Sequence, residues 1–203
     1  MQSEFSRTAI STAKESLRGW KIEDDRKLYV ALRAFKHYQR NELSSYETSE
    51  AIMALLRSWN MARFNGVNGH THAWLTKNLP KLRKKIARIG CRTRLETYSL
   101  DVPENRESIT DIFKFLCHQK RIKYTAAAKI LFVMQPNLFP MWDGGIRETF
   151  GCCGNAEGYL NFMWRMKQLL KNRELNGILG VHPPKLRALD KIFWELYSTS
   201  KVK

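Results

Sequence analysis

Apolar side chains recur every three to four residues along almost the whole chain, and that period leaves room for little except helices. Leu28, Ala31, Leu32, Phe35 and Tyr38 fall on one helical face. Ile52, Leu55, Leu56 and Trp59 do the same, as do Ile109, Ile112, Phe113 and Leu116. Tyr159, Met163, Met166 and Leu170 repeat the pattern, followed by Leu186, Leu189, Phe193 and Leu196. Pro183 and Pro184 stand where a last helix begins, a place where a missing N–H donor does no harm. Alternation of the strand kind is confined to "TRLETYSLDV", residues 93–102. No repeat and no low-complexity linker interrupts the pattern. The expectation is an all-α fold with short loops.

A chain of 203 residues can bury a core without disulfides or metals. Its 35 Lys and Arg against 19 Asp and Glu leave a formal charge of +16, which calls for an anionic partner. Nucleic acid is the first candidate and an anionic membrane surface the second. No apolar run is long enough to span a bilayer. The opening "MQSEFSRTAISTAKESLRGW" lacks the apolar centre of a signal peptide, so an intracellular place, cytoplasm or nucleoid, is expected. Cys91, Cys117, Cys152 and Cys153 form no C-x-x-C pair and read as reduced structural thiols. His70 and His72 have no carboxylate or third ligand near them in sequence, so no metal and no other cofactor is expected.

Two basic segments stand out. In "KNLPKLRKKIARIGCRTR" Leu79, Leu82, Ile86 and Ile89 form an apolar stripe, and Lys81, Lys84, Lys85, Arg88 and Arg92 cover the rest with no acid among them. Such a face is either solvated or set against phosphates. Farther on, Lys120, Arg121 and Lys123 lead into "YTAAAKILFVM", a helix whose free N–H groups and dipole favour an anion. The loop "QPNLFPMWDGGIRETFG" follows. Its aspartate, Asp143, precedes two glycines at a helix start, where local physics makes it an N-cap.

Residues 115–150 resemble the helix-hairpin-helix DNA glycosylase superfamily, the endonuclease III-like enzymes. "KYTAAAKIL" is similar to the end of that superfamily's hairpin and the helix after it, and "FPMWDGGI" to its aspartate loop. The hairpin motif is thus expected near residues 115–134. Tyr124 falls where bifunctional members carry a catalytic lysine, and it is the residue found in the branch that removes mispaired thymine or uracil and in some adenine-removing relatives. Asp143 follows by 19 residues, matching the catalytic aspartate. The hairpin glycines are replaced by "HQKRIKY", Glu148 stands in place of the usual arginine, and the iron–sulfur cysteines are absent.

The resemblance implies two helical lobes with a DNA cleft between them, residues 45–141 forming one and residues 1–44 with 142–203 the other. Asp143 is expected at the cleft mouth. It implies a DNA glycosylase of base-excision repair, acting as a monomer on duplex DNA with a mispaired or damaged base. The target base must leave the stack to be reached. A carboxylate then stabilises the positive charge growing on the sugar and orients water onto C1′. Tyr124 cannot form an imine, so hydrolysis without strand nicking is expected; Lys123 or Lys129 is the amine if the enzyme is instead a lyase. Lys120, Arg121, Lys123, Lys129, Lys84, Lys85 and Arg88 are the expected DNA contacts. Asn60, at the end of "ALLRSWN", is a C-cap or the residue that fills the gap left by the extruded base. A non-catalytic helical protein that binds DNA or RNA is the rival reading.

Overall fold

The computed structural model describes residues 10–59, 69–182 and 184–200. Residues 10–16 are helical and Ile22–Asp24 form a single 3₁₀ turn. Among the described residues nine further helices follow: α1 Arg26–Gln39, α2 Ser45–Trp59, α3 Gly69–Ile89, α4 Pro103–Cys117, α5 Tyr124–Met134, α6 Gly144–Thr149, α7 Ala156–Leu170, α8 Arg173–Gly180 and α9 Lys185–Ser200. Among the described residues there is no strand, and no helix is long and apolar enough to cross a membrane.

The helix ends carry the expected local chemistry. Ser44 and Glu47 form a reciprocal box ahead of α2. The Glu47 N–H donates to Ser44 Oγ at 3.2 Å, and the Ser44 N–H to Glu47 Oε2 at 2.8 Å. Pro103 opens α4. Gly90, at φ +102°, ends α3; a Cβ there would lie 2.8 Å from Thr93 Oγ1, so both the backbone and the space require glycine.

The centre is α5. All nine residues from Ala126 to Met134 are buried, because α1, α2 and α4 pack around it. A helix apolar on every side belongs in the middle of a bundle. Lys129 is the one charged residue on it and is only 8% exposed. α3 lies on α2 and α4, α7 on α4, α8 on α7, and α9 on α8 and α6. One continuous apolar cluster includes members of every one of these helices.

The strand-like segment 93–102 forms turns instead. Leu95, Tyr98 and Leu100 are buried as its alternation implies, but no partner strand lies beside them. Its backbone is met by irregular chain: the Leu95 N–H donates to Asn137 O at 2.9 Å. Gln135 Nε2 donates to Gly90 O at 2.8 Å and to Thr93 O at 3.2 Å, tying the end of α5 to the end of α3.

Candidate functional site

The loop between α5 and α6 is buried apart from its tip, since Leu138, Phe139, Met141 and Trp142 are all core residues. The Tyr159 hydroxyl donates to Pro140 O at 2.9 Å, and Trp142 Nε1–H donates to Tyr124 O at 3.2 Å. These bonds fix the chain where it delivers Asp143 to the start of α6. Asp143 is extended, and its Oδ1 accepts from the Ile146 N–H at 2.8 Å. The expected N-cap is therefore present. Its other oxygen, Oδ2, takes no part in the cap.

Asp143 also lines a cavity of about 460 Å³. Ser58 and Trp59 at the end of α2 form one side and Lys129 the floor from α5. Trp142 precedes the aspartate, and α9 closes the space with Arg187, Asp190, Lys191 and Trp194. The volume is in the range of small-molecule pockets. Three indoles line it, the fully buried Trp142 and the exposed Trp194 among them, while two carboxylates and three cations give it charge of both signs.

Those charges are strongly coupled. Burial pushes the Lys129 ammonium down from 10.5 to about 8; the Asp190 and Asp143 carboxylates resist that fall, and Arg187 adds to it. Burial pushes the Asp190 carboxyl up, against the pull of Arg187 and Lys129. Arg187 is itself desolvated, but Asp190 and Asp25 more than offset this and raise its proton affinity. Its Nε donates to Asp25 Oδ2 at 2.7 Å and its Nη1 to Asp190 Oδ2. Lys129 Nζ and Arg187 Cζ lie 5.0 and 5.1 Å from the centre of the Trp59 ring, within cation–π range.

Tyr124 does not line this cavity. It opens α5 and lines a second, more apolar hollow of about 340 Å³ with Phe113, Lys114, Cys117, Lys123, Gly154, Asn155 and Ala156. The Arg147 guanidinium lies 5.2 Å over its ring, and Trp142 meets it edge-on at 6.2 Å. Trp142 thus lines the first cavity and meets the Tyr124 ring, which lines the second. Lys123 is the N-cap residue of α5 without a side-chain cap bond, and it is exposed together with Lys120 and Arg121. On α3, Lys84 and Arg88 are exposed; Lys85 is half-buried, 3.9 Å from Asp111 and 5.8 Å from the centre of the Phe115 ring. Asn60 lies outside the described residues. His72 is taken up by Ser49 Oγ at 2.8 Å and Glu50 Oε1 at 3.2 Å. The four cysteines are free thiols.

The α9 residues were not singled out from the sequence. Their signal is nonetheless present: Arg187, Asp190, Lys191 and Trp194 stand at i, i+3, i+4 and i+7, a polar and aromatic stripe beside the apolar one. The model of one protein family, described as "Family of unknown function (DUF6308)", matches residues 67–196, well over half of the chain. No curated protein and no solved structure matches the chain.

Proposed function

We propose, from the premise that this chain belongs to the DUF6308 family of unknown function, that it is a DNA glycosylase hydrolysing the N-glycosidic bond of a mispaired or damaged base. One observation carries the reading. Asp143 lines an indole-walled cavity of about 460 Å³ while its backbone is held by a helix cap and a buried loop. A carboxylate so fixed can meet the cationic sugar of the transition state without having to reorganise. The exposed Trp194 indole offers a stacking face to a base taken out of the duplex. The cavity draws Ser58, Trp59 and Lys129 from residues 45–141 and its other members from residues 142–203. On this reading α4 and α5 are the helices of the hairpin, with Lys120, Arg121 and Lys123 at the turn between them. Duplex DNA is the partner and a monomer the working form. The formal charge of +16 supplies affinity without sequence choice.

The experiment is a panel of duplexes, each with one lesion: T or U opposite G, 8-oxoguanine, hypoxanthine or an alkylated purine. Strands are resolved with and without alkali. Breaks that need alkali on at least one duplex support the hydrolase. Intact strands on every duplex overturn it and leave the rival, a helical nucleic-acid-binding protein.

A second reading rests on Lys129. Its amine lines the Asp143 cavity, whereas Tyr124 does not. An amine whose pKa has fallen to about 8 can attack C1′ and nick the strand. Borohydride added during turnover would then trap a protein–DNA adduct that Lys129→Gln abolishes. No adduct is expected if Tyr124 reports the branch correctly.

A further inference from the structure

Heterolysis of an N-glycosidic bond creates two charges. The electron pair of the C1′–N bond leaves with the base, and the sugar is left cationic. Asp143 answers the cation. The negative charge that builds on the base must be answered by a cation beside it and by a proton as the bond breaks, and an ammonium in the cavity can supply both.

We propose that Lys129, as an ammonium, is the charge partner and proton donor of the departing base, and that the site therefore acts on keto-bearing pyrimidines of the uracil type. The inference rests on the glycosylase reading above. α5 buries one charged side chain among ten uncharged residues, and that side chain opens into the same cavity as Asp143. Arg187 is bound to Asp190 and Asp25, so Asp190 is shared between two cations and does not serve Lys129 alone. The Trp59 ring, 5.0 Å from Nζ, gives the ammonium a second, soft partner beside the stacking space.

The proton balance closes. Water adds its oxygen to C1′ and gives one proton to Asp143. Lys129 gives one to the base as the C1′–N bond breaks. Asp143 returns its proton through solvent to the amine. The net reaction adds one water across one bond, and the enzyme ends as it began. The acid is well matched to uracil and thymine, which on departure spread their negative charge onto two carbonyl oxygens. It is badly matched to adenine, whose ring nitrogens must be protonated before departure and need a much stronger acid than an ammonium.

Single-turnover excision from duplexes holding 5-fluorouracil, uracil or thymine opposite guanine tests the role. The three bases differ in how readily they bear negative charge, in that order. Lys129→Met should slow thymine excision about 100-fold, the scale of a lost acid, and 5-fluorouracil excision by about 10-fold or less. Lys129→Arg, which keeps the charge, should keep the shallower dependence of the wild type. A parallel loss on all three duplexes would overturn the role while leaving the glycosylase in place. No excision by the wild type from any duplex would overturn the function and the leaving-group role together. A second arm needs no bond cleavage: tryptophan fluorescence is titrated with free 5-fluorouracil and with free adenine. At least about tenfold tighter binding of 5-fluorouracil, erased in Lys129→Met, supports the base class; equal affinities overturn it.

Discussion

Asp143→Asn separates the two things its carboxylate does. Asparagine caps a helix about as well as aspartate, so the bond to Ile146 N–H and the start of α6 should survive. The negative charge is lost. On the proposed mechanism excision should fall by about 10²–10³, the scale of a lost transition-state partner, while affinity for duplex DNA holds or rises. Activity within a few-fold of wild type would leave Asp143 a cap and nothing more. Lys129 makes a prediction of opposite kind, about stability. Its pKa of about 8 lies below the 10.5 it regains on unfolding. Between those values the unfolded chain holds a proton that the native state does not, so wild-type stability gains with pH across that window. Below it the buried charge is a full burden. Lys129→Met should therefore be more stable than wild type at pH 7, by up to about 3 kcal/mol, and the gap should close between pH 8 and 10.5. Denaturant melts of both proteins across that range check it; a gap that ignores pH would show that burial does not tax this amine. Asp143 was legible in the sequence because a cap and its loop are local features. The choice between Tyr124 and Lys129 was not. Five positions on a helix are about 140° of rotation, enough to turn one side chain into each cavity, and only the packed neighbours of α5 say which space lies where.

At the scale of elements, helix type was readable almost everywhere because each stripe has the helical period. The segment 93–102 shows the limit of that reading. Its alternation reports burial of Leu95, Tyr98 and Leu100, but a strand also needs an edge to pair with, and no neighbouring element supplies one. α3 shows another limit. From sequence Lys81, Lys84, Lys85 and Arg88 cover the side away from its apolar stripe, yet packing divides them. Lys81 and Lys85 lie 4.9 and 5.8 Å from the centre of the Phe115 ring, and Lys85 also faces Asp111. Lys84 and Arg88 stay exposed. If α3 meets phosphates, Lys84→Ala and Arg88→Ala should each lower the salt slope of duplex binding by about 0.9, the value for one released counterion. Lys85→Ala should lower it by less, because its charge is already partly answered by Asp111. Binding isotherms over a range of salt concentrations give the slopes; three unchanged slopes would make this a plain solvated face.

At the scale of the molecule, both ends of the described chain meet at one guanidinium. Arg187 on α9 binds Asp25, which sits just ahead of α1 and 162 positions earlier in sequence, and it binds Asp190 one turn along its own helix. Its side chain is 13% exposed, and those of its partners 21% and 14%. Such pairs are invisible to local pattern, since nothing near Asp25 announces a cation at the far end of the chain. A buried network of this kind contributes little over a well-packed apolar substitute, but it is costly to break from one side. Arg187→Met should leave the half-buried Asp25 without its cation and Asp190 with Lys129 alone, and lower stability by about 3–5 kcal/mol at neutral pH. Much of the loss should return on mild acidification, because the Asp190 carboxyl is already raised by burial and would take up a proton more readily still. Adding Asp25→Asn and Asp190→Asn to the same chain removes the stranded charges and should recover most of the loss at neutral pH. Urea melts of the single and triple variants decide the matter. A single variant that loses under about 1 kcal/mol would mean that water reaches the network and that other contacts hold the two parts of the chain together.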